Sequence, residues 1–350
     1  MSFRKLVLPA SAALFTLAAI ILVIRVATPE TITIVKVAPS EQASTTPVEI
    51  ETLKPVQTAA VQKALPETAV SLEYARGALS PALVNILCVS NGGPLKSISG
   101  TGVIIDPRGI ILTAAHIGQY FLLEDYPKQD SISCTIRKGD PAKDAYIVKP
   151  IYVSPKWITT NQGTLSEKEP LGTGESDFAF LGVTGSATGE TLPPSFPFVS
   201  FSTKDPQNNQ QVVVGAYAAQ FISSSEITSN LHPTFVESRV GKLYTFGGDT
   251  LDLISLLGGD AAQEGSSGGG VLDAKGNMVA LITTSATTGA TSTRELRAIT
   301  PGHIERSFSA NTGTTLEAFI RNNTINALIE AFSSNAEALR ALLIANLSRN

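Results

Sequence analysis

Across residues 81–304 the apolar residues fall in short runs rich in Val, Ile, Leu and Phe, and the runs are broken by Gly, Asn and Pro. A helix needs a longer stretch with apolar residues three and four apart, so this spacing favours strands joined by turns. Strands are predicted at 82–89, 99–105, 109–112, 132–137, 145–153, 212–219, 235–246, 251–257 and 278–283. So many short strands suit an all-β core of two antiparallel β-barrels. A chain of 350 residues is long enough for two six-stranded barrels with some helix added.

The period changes after Pro301. Ile325, Leu328, Ile329 and Phe332, and then Leu339, Leu342 and Leu343, recur at helical spacing. Thr314 with Glu317 and Ser334 with Glu337 are spaced as capping boxes, so a C-terminal helical extension, a hairpin, is predicted over 311–350. Two readings stand for it: packing on the core, or a homo-oligomerising or partner-binding element. Upstream of the strands, residues 67–76 are expected to form a helix stopped by Gly77 and Pro81.

The N-terminus carries Arg4 and Lys5 ahead of an uncharged apolar stretch of 19 residues, 6–24, closed by Arg25. As a helix this would span about 28 Å, close to a bilayer's hydrocarbon core. The expectation is an N-terminal transmembrane helix over 1–26, an uncleaved signal anchor of a single-pass protein in the cell membrane, with the rest of the chain on the extracytoplasmic side. The alternative is a cleaved signal peptide and a secreted product. Residues 27–65, with Pro29, Pro39, Pro47 and Pro55 among Thr, Glu and Val, read as an extended stalk.

Three segments carry chemistry. Thr113-Ala114-Ala115-His116 follows one apolar run, Asp177-Phe178-Ala179-Phe180-Leu181 opens another, and Gly265-Ser266-Ser267-Gly268-Gly269 precedes a third. A serine hydroxyl is a poor nucleophile at neutral pH. It needs an imidazole to take its proton and a buried carboxylate to orient that imidazole, and the three segments offer Ser267, His116 and Asp177. The glycines around Ser267 let the amides of Gly265 and Ser267 converge on one point, as an oxyanion hole requires. His232 and His303 lack such surroundings and read as structural. An esterase with its serine on a strand-to-helix elbow would need the order Ser, Asp, His, which is not the order here.

The order His, Asp, Ser, with T-A-A-H, D-F-A-F-L and G-S-S-G-G, resembles the trypsin-like (chymotrypsin-fold) serine proteases, and most closely their bacterial Deg-type branch. The run Ser99 to Ile105 and the hairpin after Gly269 are similar too. The resemblance covers about residues 81–304 and implies a protease domain over 66–310. It implies a serine endopeptidase that hydrolyses protein or peptide substrates in the cleft between two barrels. The reading from another class is a non-catalytic module that uses the same fold to bind peptides or partners. In the digestive members an aspartate just before the serine pairs with a freshly cut N-terminus. This chain has Ser266 there, which implies a protease that folds competent without such a cut.

The same resemblance places a primary substrate pocket at Ala261, six residues before Ser267, with Thr283 to Ser285 as one wall. The pocket would then lack an acidic floor and suit small or medium apolar side chains, unless Arg297 projects into it and selects acidic ones. It also sets the strands of Cys88 and Cys134 side by side. Either a disulfide or two buried thiols fits that placement. A net charge of −4 gives no basic field for nucleic acid, and no Cys/His cluster has metal-ligand spacing. No metal, cofactor or nucleic acid is expected.

Overall fold

The computed structural model describes residues 54–55, 72–167, 172–257, 259–285 and 291–349. The apolar stretch 6–24 and nearly all of the stalk lie outside them. Among the described residues no helix is long and apolar enough to cross a membrane.

The elements run, in order, β1 (Lys54–Pro55), α1 (Leu72–Ala82), β2 (Leu83–Ser90), β3 (Ile98–Asp106), β4 (Ile110–Thr113), α2 (Ala115–Gly118), β5 (Ile132–Lys138), β6 (Lys143–Val153), α3 (Pro155–Asn161), β7 (Ala179–Ser186), β8 (Gln211–Ala216), α4 (Ser224–Ser229), β9 (Thr234–Thr245), β10 (Leu253–Leu257), β11 (Gly270–Asp273), β12 (Met278–Ser285), β13 (Glu295–Ile299), α5 (Pro301–Thr312), α6 (Leu316–Arg321) and α7 (Ile325–Leu347). The first barrel closes in the order β2-β3-β4-β7-β6-β5. The second runs β8-β9-β10-β13-β12-β11 and closes through β8 on β11, while β1 adds to the end of β9. Both barrels are antiparallel and six-stranded, as the sequence predicts.

Strand β8 lacks a polar face because both of its faces are used. Along β8, Val212, Val214 and Ala216 fill the second barrel with Ile254, Val271 and Ile282. Val213, between them, joins the larger apolar body formed with the first barrel and the C-terminal helices. Strand β8 ends at Ala216 rather than at the expected residue 219, because the Tyr217 amide leaves the sheet ladder for Thr101 Oγ1. Cys88 and Cys134 lie opposite each other in the β2–β5 pairing that closes the first barrel, and they are joined as a disulfide.

Two helix expectations need correction. Neither Gly77 nor Pro81 stops α1, which runs through both to Ala82. Pro81 removes one hydrogen bond near the C-terminal end, whereas Ala75, Leu79 and Ala82 stay fully buried, so packing outweighs the local penalty. In place of a hairpin broken at Ser334, α7 is one helix, capped by Thr324. Its buried residues Leu328, Phe332, Leu339 and Leu343 form a single stripe that continues past Ser334. Likewise α6 is capped by Thr315, one residue after the expected Thr314. Gly182 on β7 lets α7 approach closely, since a Cβ there would lie 2.6 Å from Ile325. Tyr152, Phe178, Phe180, Phe308 and Phe332 stack into one aromatic group that ties α5 and α7 to the segment after Asp177.

Candidate active site

Strands β4 and β7 are hydrogen-bonded neighbours with Thr113 opposite Ala179, so the residues just after β4 and just before β7 leave the same end of the first barrel. That places His116, in the short α2, beside Asp177. The Asp177 carboxylate is almost fully buried, at 2% exposure. Its Oδ1 accepts the His116 backbone N–H at 3.0 Å, and its Oδ2 lies 2.8 Å from His116 Nδ1. A carboxylate on Nδ1 fixes the proton there and leaves Nε2 with a free lone pair. Burial lowers the His116 pKa, but the charge of Asp177 and its hydrogen bond outweigh this and raise it. The Trp157 ring flanks the imidazole at a centroid distance of 6.2 Å.

Ser267 comes from the second barrel, on a turn bound to the first. Thr101, on β3, donates its backbone N–H to Ser267 O at 2.9 Å and its hydroxyl to Gly265 O at 2.7 Å. Its carbonyl accepts the Thr113 hydroxyl at 2.7 Å, so the turn is held against the strand that leads to His116. Only glycine fits at 268: φ is +86°, and a Cβ would lie 1.9 Å from Thr101 O and 2.5 Å from Thr113 Oγ1. Among the described residues neither the Gly265 nor the Ser267 amide donates to a protein acceptor. The carbonyl of the Glu264–Gly265 peptide accepts from Ala219 N at 2.8 Å, which turns the Gly265 N–H away from Ala219. The Ser267 hydroxyl points to Thr283 O at a long 3.4 Å, and no hydrogen bond joins it to His116. Such contacts are often long without substrate.

Ser266 is buried with no partner for its hydroxyl, and it carries no charge for an amino terminus to pair. Of the expected pocket residues, Thr283 lies beside Ser267, while Ala261 is fully buried among the side chains inside the second barrel. Arg297 binds Glu295 through Nε at 2.9 Å and lies over the Tyr244 ring, with a buried Nη1 that has no partner. The side chain of Ser285 is outside the described residues. Two surface cavities, of about 260 and 490 Å3, are lined by other residues. His303, read as structural from sequence, is buried and binds both Asp252 and the amide of Ser176, next to Asp177. Among the described residues no cluster of three or more His, Cys, Asp or Glu could hold a metal.

Two barrels with a histidine–aspartate pair at one and a glycine-rich serine turn at the other define a protein of the trypsin-like class. The family model for a trypsin-like peptidase domain matches residues 100–281, and the chain belongs to that family. It is a serine endopeptidase. Solved structures to which it is similar include the Rv3671c protease of M. tuberculosis in its active form, with 20% identity over 79% of this chain and 96% of that one and a TM-score of 0.41. Another is the serine endoprotease from Yersinia pestis, with 16% identity over 71% of this chain and 69% of that one and a TM-score of 0.44. No curated protein matches the chain.

Proposed function

We propose that the chain cleaves proteins or peptides outside the cytoplasm through Ser267, His116 and Asp177. The observation that carries this reading is the buried Asp177 carboxylate, with one oxygen on the His116 amide and the other on its Nδ1. Ser267 Oγ attacks the scissile carbonyl as His116 Nε2 takes its proton. The amides of Gly265 and Ser267 stabilise the oxyanion, and the imidazolium, held by Asp177, then protonates the leaving amine. Water repeats the cycle on the acyl-enzyme. Comparison of variants tests this: Ser267→Ala should lose nearly all peptide hydrolysis and Ser266→Ala should keep it. Full activity in the Ser267 variant, or loss in the Ser266 variant alone, would refute the assignment.

Residues 6–24 support membrane anchoring with the protease on the extracytoplasmic side, on sequence grounds alone. Full-length protein should then resist alkaline extraction from membranes, whereas a mature N-terminus beyond residue 18 would show a cleaved signal instead. For specificity, the Glu295 carboxylate on Arg297 and the uncharged Thr283 beside Ser267 favour small or medium apolar side chains before the cleaved bond. Profiling on an unbiased peptide library decides, and a dominant preference for Arg, Lys, Glu or Asp would refute it.

A further inference from the structure

The turn that carries Asp177 is gripped by a buried histidine that the chemistry above does not use. Ser176 is fully buried at φ +57°, a left-handed conformation that serine keeps only where its surroundings fix it. Its amide donates to His303 Nε2 at 3.1 Å and its hydroxyl meets Ser307 Oγ at 2.9 Å. Both partners lie on α5, whose start is capped by the Thr300 hydroxyl on the His303 amide. On its other side His303 Nδ1 lies 3.2 Å from Asp252 Oδ1.

Asp252 is well supplied with donors: the Phe246 amide, the Thr245 and Thr250 hydroxyls, and Arg306 Nη2 at 2.6 Å. Burial raises its pKa, but the hydrogen bonds of His303, Arg306 and Phe246 prevail and hold it far below the usual carboxylate range. An ionised carboxylate can only accept, so the proton between the two groups belongs to Nδ1. Nε2 is then a lone pair, which is what the Ser176 amide requires.

We propose that His303 is a positioning residue for Asp177: neutral, with its proton on Nδ1, it holds the Ser176 amide and thereby fixes the carboxylate that orients His116. Without that acceptor, Ser176 is free to relax out of its left-handed conformation, and the adjoining Asp177 turns with it. Protonation of His303 would set Nε2–H against the Ser176 N–H, donor against donor. The groups facing the ring are Asp252 and the uncharged Phe246 and Ser176, while Arg306 and Ser307, on its own helix, bind Asp252 and Ser176 in turn. His303 has this role only if Asp177 is the carboxylate member proposed above.

Two substitutions separate the arms of the ring. His303→Gln keeps an acceptor near the place of Nε2, whereas His303→Asn keeps a donor near the place of Nδ1 and loses that acceptor. With competent sites counted by phosphonate titration, the Gln variant should turn over close to wild type. The Asn variant should lose on the order of 10- to 100-fold in kcat at little change in KM. Its acid limb of kcat/KM should move to lower pH, because Asp177 no longer raises the His116 pKa. Equal behaviour of the two variants, or an unmoved limb in the Asn variant, would overturn the proposal. In the unaltered protein, 15N NMR should show His303 protonated on Nδ1 and bare on Nε2; an Nε2–H form would overturn it whether or not the variants fold. Hydrolysis that survives Ser267→Ala would instead unseat the triad assignment itself.

Discussion

Thr101 joins the two barrels at the turn that carries Ser267, and Thr101→Val isolates that junction. Valine keeps the shape of threonine but removes the hydroxyl that accepts the Tyr217 amide at 2.9 Å and donates to Gly265 O at 2.7 Å. Thr101 is fully buried and Tyr217 nearly so, so water cannot take over either bond. A buried backbone group left unpaired costs about 1–3 kcal/mol, so the two together should cost about 2–6 kcal/mol. Thr101→Ser keeps both bonds and loses one methyl group, about 0.8 kcal/mol. Urea unfolding followed by the fluorescence of the single tryptophan, Trp157, should show the valine variant clearly less stable than the serine variant at an unchanged m-value. Turnover should fall as well, because Gly265, whose amide is proposed to hold the oxyanion, loses its anchor. A valine variant within about 0.5 kcal/mol of wild type, a typical surface-substitution effect, and with undiminished kcat would refute the reasoning.

Asp177→Asn should fold yet lose about 10⁴ in kcat through the wrong imidazole tautomer; near-normal turnover would place the orienting group elsewhere. Because Asp177 raises the His116 pKa and only neutral His116 is a base, kcat/KM should fall on the acid side with a midpoint above the ordinary histidine value of about 6.5. A midpoint at or below that value would contradict the pairing. Unreduced peptide mapping should recover Cys88 linked to Cys134, and reduction should destabilise the chain by about 3–4 kcal/mol for a bridge spanning 46 residues. Free thiols on both residues in protein purified without reductant would refute the bridge.

The histidine–aspartate pair was legible because each residue ends or opens a buried strand, and strand order then sets them side by side. The facing cysteines needed only the barrel's closure on top of that. Signals that tertiary packing overrides were misleading. Gly77 and Pro81 are local breakers, but the buried Ala75, Leu79 and Ala82 carry α1 through them. Ser334 and Glu337 have capping-box spacing inside a helix whose apolar stripe never breaks. The role of His303 had no local signal at all: its partners Asp252 and Ser176 lie 51 and 127 residues away, and only the packing of α5 brings them together. The Thr101 junction was hidden for the same reason, since one hydroxyl spans 116 residues to Tyr217 and 164 to Gly265.

The most direct measurement is covalent: the purified protease domain is treated with a serine-reactive phosphonate and the adduct is located by peptide mass mapping. One adduct per chain on Ser267, absent from Ser267→Ala and strongly slowed in His116→Ala, is the predicted result. An adduct on another serine, or peptide turnover with Ser267 unlabelled, would contradict the assignment of the nucleophile.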